Sequence, residues 1–129
     1  MKARGPRKTK IGGFRIKRVY EPAAEDDGLR VLVDRLWPRG IAKEKARIDL
    51  WLKDIAPSEA LRRRFHGDPT KWQEFVAAYD GELKLEPAST AAAGLRERLG
   101  SQPVTLLYAA RDEIHNNAVA LKCWLEQPN

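Results

Sequence analysis

The stretch from Leu29 to Gly40 constrains the fold most tightly, because a nearly continuous apolar run passes directly into a polar loop. Residues 29–34 predict a strand that is buried on both faces, as in a parallel sheet covered by helices. Residues 35–40 then bring two arginines and an indole to the end of that strand and close with a Pro-Arg-Gly turn. Ligands of open α/β sheets bind beyond the carboxyl ends of the strands. This loop is therefore predicted to form one wall of a binding site.

Further strands and helices are predicted on either side of this strand. Residues 14–19 alternate apolar and charged side chains, as in a half-exposed edge strand, and residues 103–110 read as a second buried strand. Residues 48–55 fit the spacing of both a strand and a helix, and a short strand is the preferred interpretation. The remaining apolar spacings predict helices over residues 59–64, 70–83, 87–99 and 116–126. This order predicts an α/β fold with a small, mostly parallel sheet of three or four strands flanked by helices.

Length and charge predict the domain organisation. A chain of 129 residues suits one domain with a single core. The net charge is +6, but five of the 24 basic side chains lie in residues 1–13, and the other 19 face 18 acidic ones. We therefore expect a disordered basic tail over residues 1–13 and a single α/β domain over residues 14–129. Such a tail could make a weak, nonspecific contact with nucleic acid.

Composition also argues against several classes of protein. No apolar run approaches the roughly 20 residues of a membrane span, and no apolar segment of a secretory signal follows the basic N-terminus. The lone Cys123 cannot form an intramolecular disulfide and is expected to be inert. We therefore expect a cytoplasmic protein without a membrane contact. Because the two histidines and the cysteine are far apart, neither a metal site nor a cofactor motif is predicted.

The candidate site residues lie in the loops that follow the two buried strands. If those strands are parallel neighbours, loops 34–43 and 108–117 share one edge of the sheet. Asp34 and His115 are the candidate catalytic groups. The carboxylate of Asp34 could act as a general base or a nucleophile, and the imidazole of His115 could exchange a proton near neutral pH. A structural ion pair is an equally good interpretation of Asp34. Guanidinium, indole and amide groups supply the candidate ligand-binding residues, which are Arg35, Trp37, Arg39, Arg111, Asn116 and Asn117.

Four blocks of this sequence resemble the YeaO-like family of small bacterial proteins of unknown function. They are Val-Asp-Arg-Leu-Trp-Pro-Arg-Gly (33–40), Trp-Leu-Lys-Asp-Ile-Ala-Pro-Ser (51–58), the aromatic helix 72–83 and the segment 106–118. The resemblance covers roughly residues 14–126 and implies an α/β domain without an established activity. Longer relatives place a Cys-His-Arg element after the last strand, where this chain has His115-Asn116-Asn117. A nucleophile at that cysteine would have no counterpart here.

Two functions of different classes remain open at this point. The first is a cytoplasmic protein that binds a small anionic ligand, a phosphate or a carboxylate, at the carboxyl edge of its sheet, as a hydrolase or transferase would. The alternative is a non-catalytic binding or regulatory module that contacts nucleic acid or a protein partner. Catalysis would require Asp34 or His115 beside the ligand, whereas binding requires only the arginines.

Overall fold

The structure is a computed structural model that describes residues 13–66 and 68–127 of the chain. Strands and helices alternate along most of the chain, and short 3-10 turns connect several of them. The strands are β1 (Arg15–Arg18), β2 (Leu29–Leu32), β3 (Leu50–Trp51) and β4 (Val104–Tyr108). The α-helices are α1 (Lys43–Ala46), α2 (Glu59–Phe65), α3 (Trp72–Leu83), α4 (Ala88–Leu99) and α5 (Asn117–Leu125).

The four strands form one parallel sheet in the order β1-β4-β2-β3. The last strand along the chain, β4, therefore lies between β1 and β2, and it pairs with both. Parallel strands expose their carboxyl ends at the same edge, so the loops that follow β2, β3 and β4 meet there. The predicted α/β fold with a parallel sheet is confirmed.

The two faces of the sheet are covered differently. Val31 and Leu106 point into the larger core, where they pack with residues of α3, α4 and α5 such as Tyr79, Leu95 and Leu121. The other face carries a smaller cluster of three buried residues, covered by partly buried side chains of the segment that runs from the end of β2 to β3. Its buried members are Val19, Leu32 and Leu107, and Trp37, Ile41, Ile48 and Trp51 are among the residues that cover them. Burial on both faces explains the continuous apolar run of β2.

The segment over residues 48–55 contains a short strand followed by a 3-10 turn, and no α-helix forms there. Leu50 and Trp51 pair with β2 as a two-residue strand, and a 3-10 turn over Lys53–Ile55 follows. The turn directs Ile55 into the core, where it is fully buried. The preferred short strand is therefore confirmed for Leu50 and Trp51 only.

The predicted helices are present, and α2 begins at the residue that the sequence predicts. Ser58 caps α2 as expected, because its hydroxyl accepts from the backbone N–H of Leu61 at 3.1 Å. The third helix begins at Trp72 rather than near residue 70, since Asp68 first caps a 3-10 turn over Pro69–Lys71. The α-helix therefore follows the 3-10 turn that Asp68 caps, and it begins at Trp72.

Two expectations concern the whole chain. The predicted basic tail lies outside the described residues, apart from Gly13. Among the helices of the described residues, none has both the length and the apolar composition that a membrane crossing requires.

Candidate functional site

The loops that follow β2 and β4 are joined at the carboxyl edge by one carboxylate. Asp34 accepts a hydrogen bond from the backbone N–H of Ala109 and another from the side-chain amide of Asn117, both at 3.0 Å. The same amide nitrogen donates to the carbonyl of Val33 at 3.0 Å. The expectation that these two loops share an edge is confirmed, because β2 and β4 are parallel neighbours. Asp34 connects the two strands to the start of α5.

Burial raises the pKa of Asp34, although the hydrogen bonds from Asn117 and Ala109 and the charge of Arg62 act in the opposite direction. A carboxyl group whose pKa is raised on folding lowers the stability of the protein as the pH rises from its unfolded pKa through its folded one. Ionisation of Asp34 is therefore expected to destabilise the fold. Both carboxylate oxygens already have donors within the protein. These contacts hold Asp34 through amide donors. Among the described residues its carboxylate forms no ion pair with an arginine, so the structural ion pair considered from the sequence is not formed.

Replacing Asn117 by Ala should raise the pKa of Asp34 further, because it removes the strongest of the contacts that lower it. It also leaves the carbonyl of Val33 without that donor, so the free energy of unfolding should fall by about 1–3 kcal/mol. Carbon-detected NMR titration of the Asp34 carboxyl group and a denaturant melt measure the two effects. An unchanged pKa would show that Asn117 does not hold the carboxylate.

His115 is also engaged within its own loop. Its Nδ1 lies 3.0 Å from the Asp112 carboxylate, and its ring packs edge-on against Trp72 at 5.2 Å between centroids. The other carboxylate oxygen of Asp112 accepts from the backbone N–H groups of Ile114 and His115 at 2.9 Å each. These contacts hold the pKa of Asp112 below its ordinary value. The carboxylate of Asp112 thus holds His115, a predicted catalytic group, through both its ring and its backbone.

The two asparagines at the start of α5 have structural contacts as well. Asn116 is buried and is the N-cap, because its side-chain oxygen accepts from the N–H of Val119 at 3.0 Å. Its amide nitrogen donates to the carbonyl of Asp112 at 2.9 Å. Asn117 is committed to β2, as described above. The structure therefore brings Asn117 together with Asp34 and directs both amides to protein partners.

The remaining predicted residues separate into two groups. Arg35 turns toward the segment after β3, where its Nε donates to the carbonyl of Pro57 at 3.1 Å. Trp37 donates its indole N–H to the carbonyl of Ile41 at 2.7 Å. Arg39 and Arg111 are exposed, with no side-chain hydrogen bond or ion pair within the part of the chain that the structure describes. The hydrogen bonds of Arg35 thus aim it at residues 56–57.

Arg35 lines a groove of about 360 Å³ at the carboxyl ends of β2 and β3. Lys53 stands beside it, two residues after β3, with its ammonium 4.2 Å from the ring centroid of Trp51. Trp51 is in turn held by a hydrogen bond from its indole to the carbonyl of Asp34, at 2.8 Å, and by edge-on contact with Trp37. Trp37 thus contacts Trp51 and does not itself line the groove.

The opposite wall of the groove comes from the end of α3 and the start of α4. Glu82 accepts from the backbone N–H of Ser58 at 2.8 Å and from its hydroxyl at 2.6 Å. Glu86 and the largely exposed Leu85 complete this wall. Sequence reasoning missed Lys53 and Glu82 as site residues. A signal existed for Lys53, since it follows a predicted strand in the same way that Arg35 does.

Within residues 13–66 and 68–127, no group of three or more His, Cys, Asp or Glu side chains is placed to hold a metal ion.

The fold and the groove define a small α/β protein with a single parallel sheet and a ligand-sized depression at its carboxyl edge. Residues 13–129 match a family described as the inactive DUF488-N3 subclade, and the chain belongs to this family. It is similar to the uncharacterized protein YeaO of Escherichia coli K12, with 44% identity over 110 residues that make up 84% of this chain and 93% of YeaO. The resemblance to YeaO-like proteins is thereby confirmed.

Mycobacterial proteins are similarly related. Uncharacterized protein Rv3073c of Mycobacterium tuberculosis H37Rv and uncharacterized protein Mb3100c of Mycobacterium bovis are each 44% identical over 107 residues, which is 83% of this chain and 88% of theirs. No solved structure matches the chain significantly.

Proposed function

We propose that this protein is a non-catalytic binding protein that takes up a small molecule with an anionic group in the groove beside Arg35 and Lys53. One observation carries the proposal: two cations follow the carboxyl ends of adjacent parallel strands and line the same groove. This edge is where ligands of α/β sheets bind. Neither cation lies within ion-pair distance of a carboxylate among the described residues, so an anion would be their first charged partner.

The state of the candidate catalytic groups supports binding over catalysis. Asp34 accepts from Ala109 and Asn117, and His115 is hydrogen bonded to Asp112, so the protein already uses the groups that a general base would offer. A family described as inactive accords with this interpretation. The groove also lacks both of these groups, since neither Asp34 nor His115 lines it.

A titration with acetate, followed by amide shifts of the labelled protein, tests the proposal. We expect saturable shifts at Lys53, Ser58 and Ala88, because these residues surround the groove. Lys53→Ala should weaken acetate binding about tenfold, the loss expected when one charge-assisted contact is removed from an exposed site. Lys53 is exposed, so its removal leaves the core intact.

Lys84→Ala is the matched control. Lys84 is an exposed lysine that precedes the groove residue Leu85 in the sequence and does not itself line the groove. An equal loss of acetate binding in the two variants would show that only the overall charge of the protein matters. Shifts confined to Arg39 and Arg111 would move the anion site away from this groove.

A further inference from the structure

The charges around the groove are mixed, and this narrows the chemistry of its ligand. Its lining contains the cations Arg35 and Lys53 and the acids Asp54, Glu82 and Glu86. A simple anion that approaches the cations would also meet three carboxylates. A phosphate, with about two negative charges, would be repelled more strongly than a single carboxylate. The best complement to this lining is a ligand that carries both signs of charge.

One peptide unit fixes the spacing of the two signs. The carbonyl of Pro57 accepts from Arg35 at 3.1 Å, and the N–H of the next residue, Ser58, donates to Glu82 at 2.8 Å. The oxygen and nitrogen of a planar peptide unit are only about 2 Å apart, so the guanidinium Nε and the carboxylate oxygen are separated by no more than roughly 8 Å. A rigid element of the backbone thus holds a cation and an anion at a short, fixed distance.

We infer that the groove binds a zwitterion of the α-amino acid class, with its carboxylate on Arg35 and Lys53 and its ammonium on Glu82. In such a molecule a single carbon separates the two charged groups, and a charge-assisted contact at each end adds about 2.8 Å. The Pro57–Ser58 peptide unit fills the direct line between Arg35 Nε and Glu82. The ligand would therefore lie beside this unit and join the Nη of Arg35 that is free among the described residues to the open acceptor positions of Glu82. The inference rests on the proposed function, since it assigns the anionic group of the same ligand.

The acidic end of the groove has capacity for an ammonium group. A carboxylate offers about four acceptor positions, and Ser58 fills two of those on Glu82. An ammonium group is a donor only, which matches what is left on Glu82. Arg35 likewise uses Nε, and more weakly one Nη, on protein carbonyls. Its other Nη has no hydrogen-bond partner among the described residues.

The apolar part of the lining suggests the side chain of the ligand. Leu85, Pro87 and Ala88 line the groove, and Leu85 is 66% exposed. An aliphatic side chain on the ligand would cover Leu85. Leucine is therefore a suitable probe.

The test compares L-leucine with two of its derivatives, by amide shifts of the full-length labelled protein. N-acetyl-leucine retains the carboxylate and lacks the ammonium, and leucine methyl ester retains the ammonium and lacks the carboxylate. We expect leucine to shift the amides of Ser58, Leu85 and Ala88 saturably. Each derivative should bind at least about tenfold more weakly, since each loses one charge-assisted contact.

A substitution then separates this inference from the proposed function. Glu82→Gln should weaken leucine binding and leave N-acetyl-leucine binding unchanged, while Lys84→Ala should alter neither. Because Glu82 also holds Ser58, a thermal melt must show that Glu82→Gln is folded. If it is not, the comparison of leucine with its derivatives on the unsubstituted protein still tests the inference. Glu86→Gln removes an acid of the same lining that is not assigned to the ammonium, so it should leave leucine binding unchanged.

The outcomes are distinguishable. If N-acetyl-leucine binds as tightly as leucine and Lys53→Ala weakens both, the zwitterion inference is overturned and the proposed anion site stands. If none of the three compounds shifts the groove amides at concentrations in the tens of millimolar, both proposals are overturned.

Discussion

Replacing Gly28 by Ala should destabilise the protein by about 3 kcal/mol or more, through strain and overlap together. Gly28 has φ +67°, a conformation that L residues rarely adopt. A Cβ at this position would also overlap the carbonyl group of Pro103, with the carbonyl carbon at only 2.7 Å. The carbonyl group of Pro103 belongs to the backbone, so a segment of the main chain would have to shift to admit the new methyl group. Because Leu29 donates to that same carbonyl, the start of the pairing between β2 and β4 would be lost.

Gly40→Ala is the matched control, and chemical denaturation of both variants gives the comparison. Gly40 also has a positive φ, of +80°, but a Cβ there would meet no atom within 4 Å. Only conformational strain applies, and the expected loss is about 1–2 kcal/mol. Equal losses for the two glycines would mean that the approach of Gly28 to Pro103 is looser than the structure has it.

A second large effect is expected at the buried ion pair below the smaller face of the sheet. Asp27 and Arg30 lie 2.6 Å apart, with side chains only 7% and 6% exposed. Arg30 also donates to the carbonyls of Ala46 and Arg47, so it fastens the end of α1 to β2. Asp27→Ala should cost about 3–5 kcal/mol, because it leaves a buried guanidinium without its carboxylate.

Arg15→Ala provides a control for the general effect of losing an ion pair. Arg15 pairs with Asp26 at 3.5 Å, but their side chains are 49% and 80% exposed, so the expected loss is below about 1 kcal/mol. Denaturant melts of the two variants give the comparison. A loss for Asp27→Ala as small as that for Arg15→Ala would remove Arg30 from the list of residues that stabilise the fold.

The same pair predicts a pH dependence. Burial alone would raise the pKa of Asp27, but hydrogen bonds from Ala24, Lys17 and Arg30 outweigh it and hold the pKa below its ordinary value. A carboxyl group whose pKa is lowered on folding contributes stability above the unfolded pKa and loses it as the pH falls through the folded one. The wild-type protein should therefore lose more stability than Asp27→Ala below about pH 4.

The candidate site shows how far inference from single positions extends. Asp34 and Asn117, both predicted to be site residues, are hydrogen bonded to each other. Arg35, predicted to bind an anion, lines a groove, whereas the ring of His115 is held by Asp112. A pattern in one loop indicates which groups are present at an edge of the sheet. It does not indicate which of them the protein consumes in its own contacts.

From the residues alone, the fold class could be predicted, and so could the edge of the sheet that the loops after β2 and β4 share. The continuous apolar run of β2 required cover on both faces, and the alternation over residues 14–19 required an edge strand, because side chains of a strand alternate between faces. These signals are local, since each depends on residues within one element. They were sufficient to place the loops after β2 and β4 together.

The partners of the polar groups at that edge could not be predicted from local patterns in the sequence. Glu82 meets Ser58, which lies 24 residues earlier, and Asp34 meets Asn117 across 83 residues. Such contacts follow from how α3 and α5 pack on the sheet, and no local periodicity records them. The same holds for Gly28, whose close approach to Pro103 joins residues that are far apart in the sequence. Long-range packing therefore sets which polar groups hold the fold together and which line the groove at the carboxyl edge.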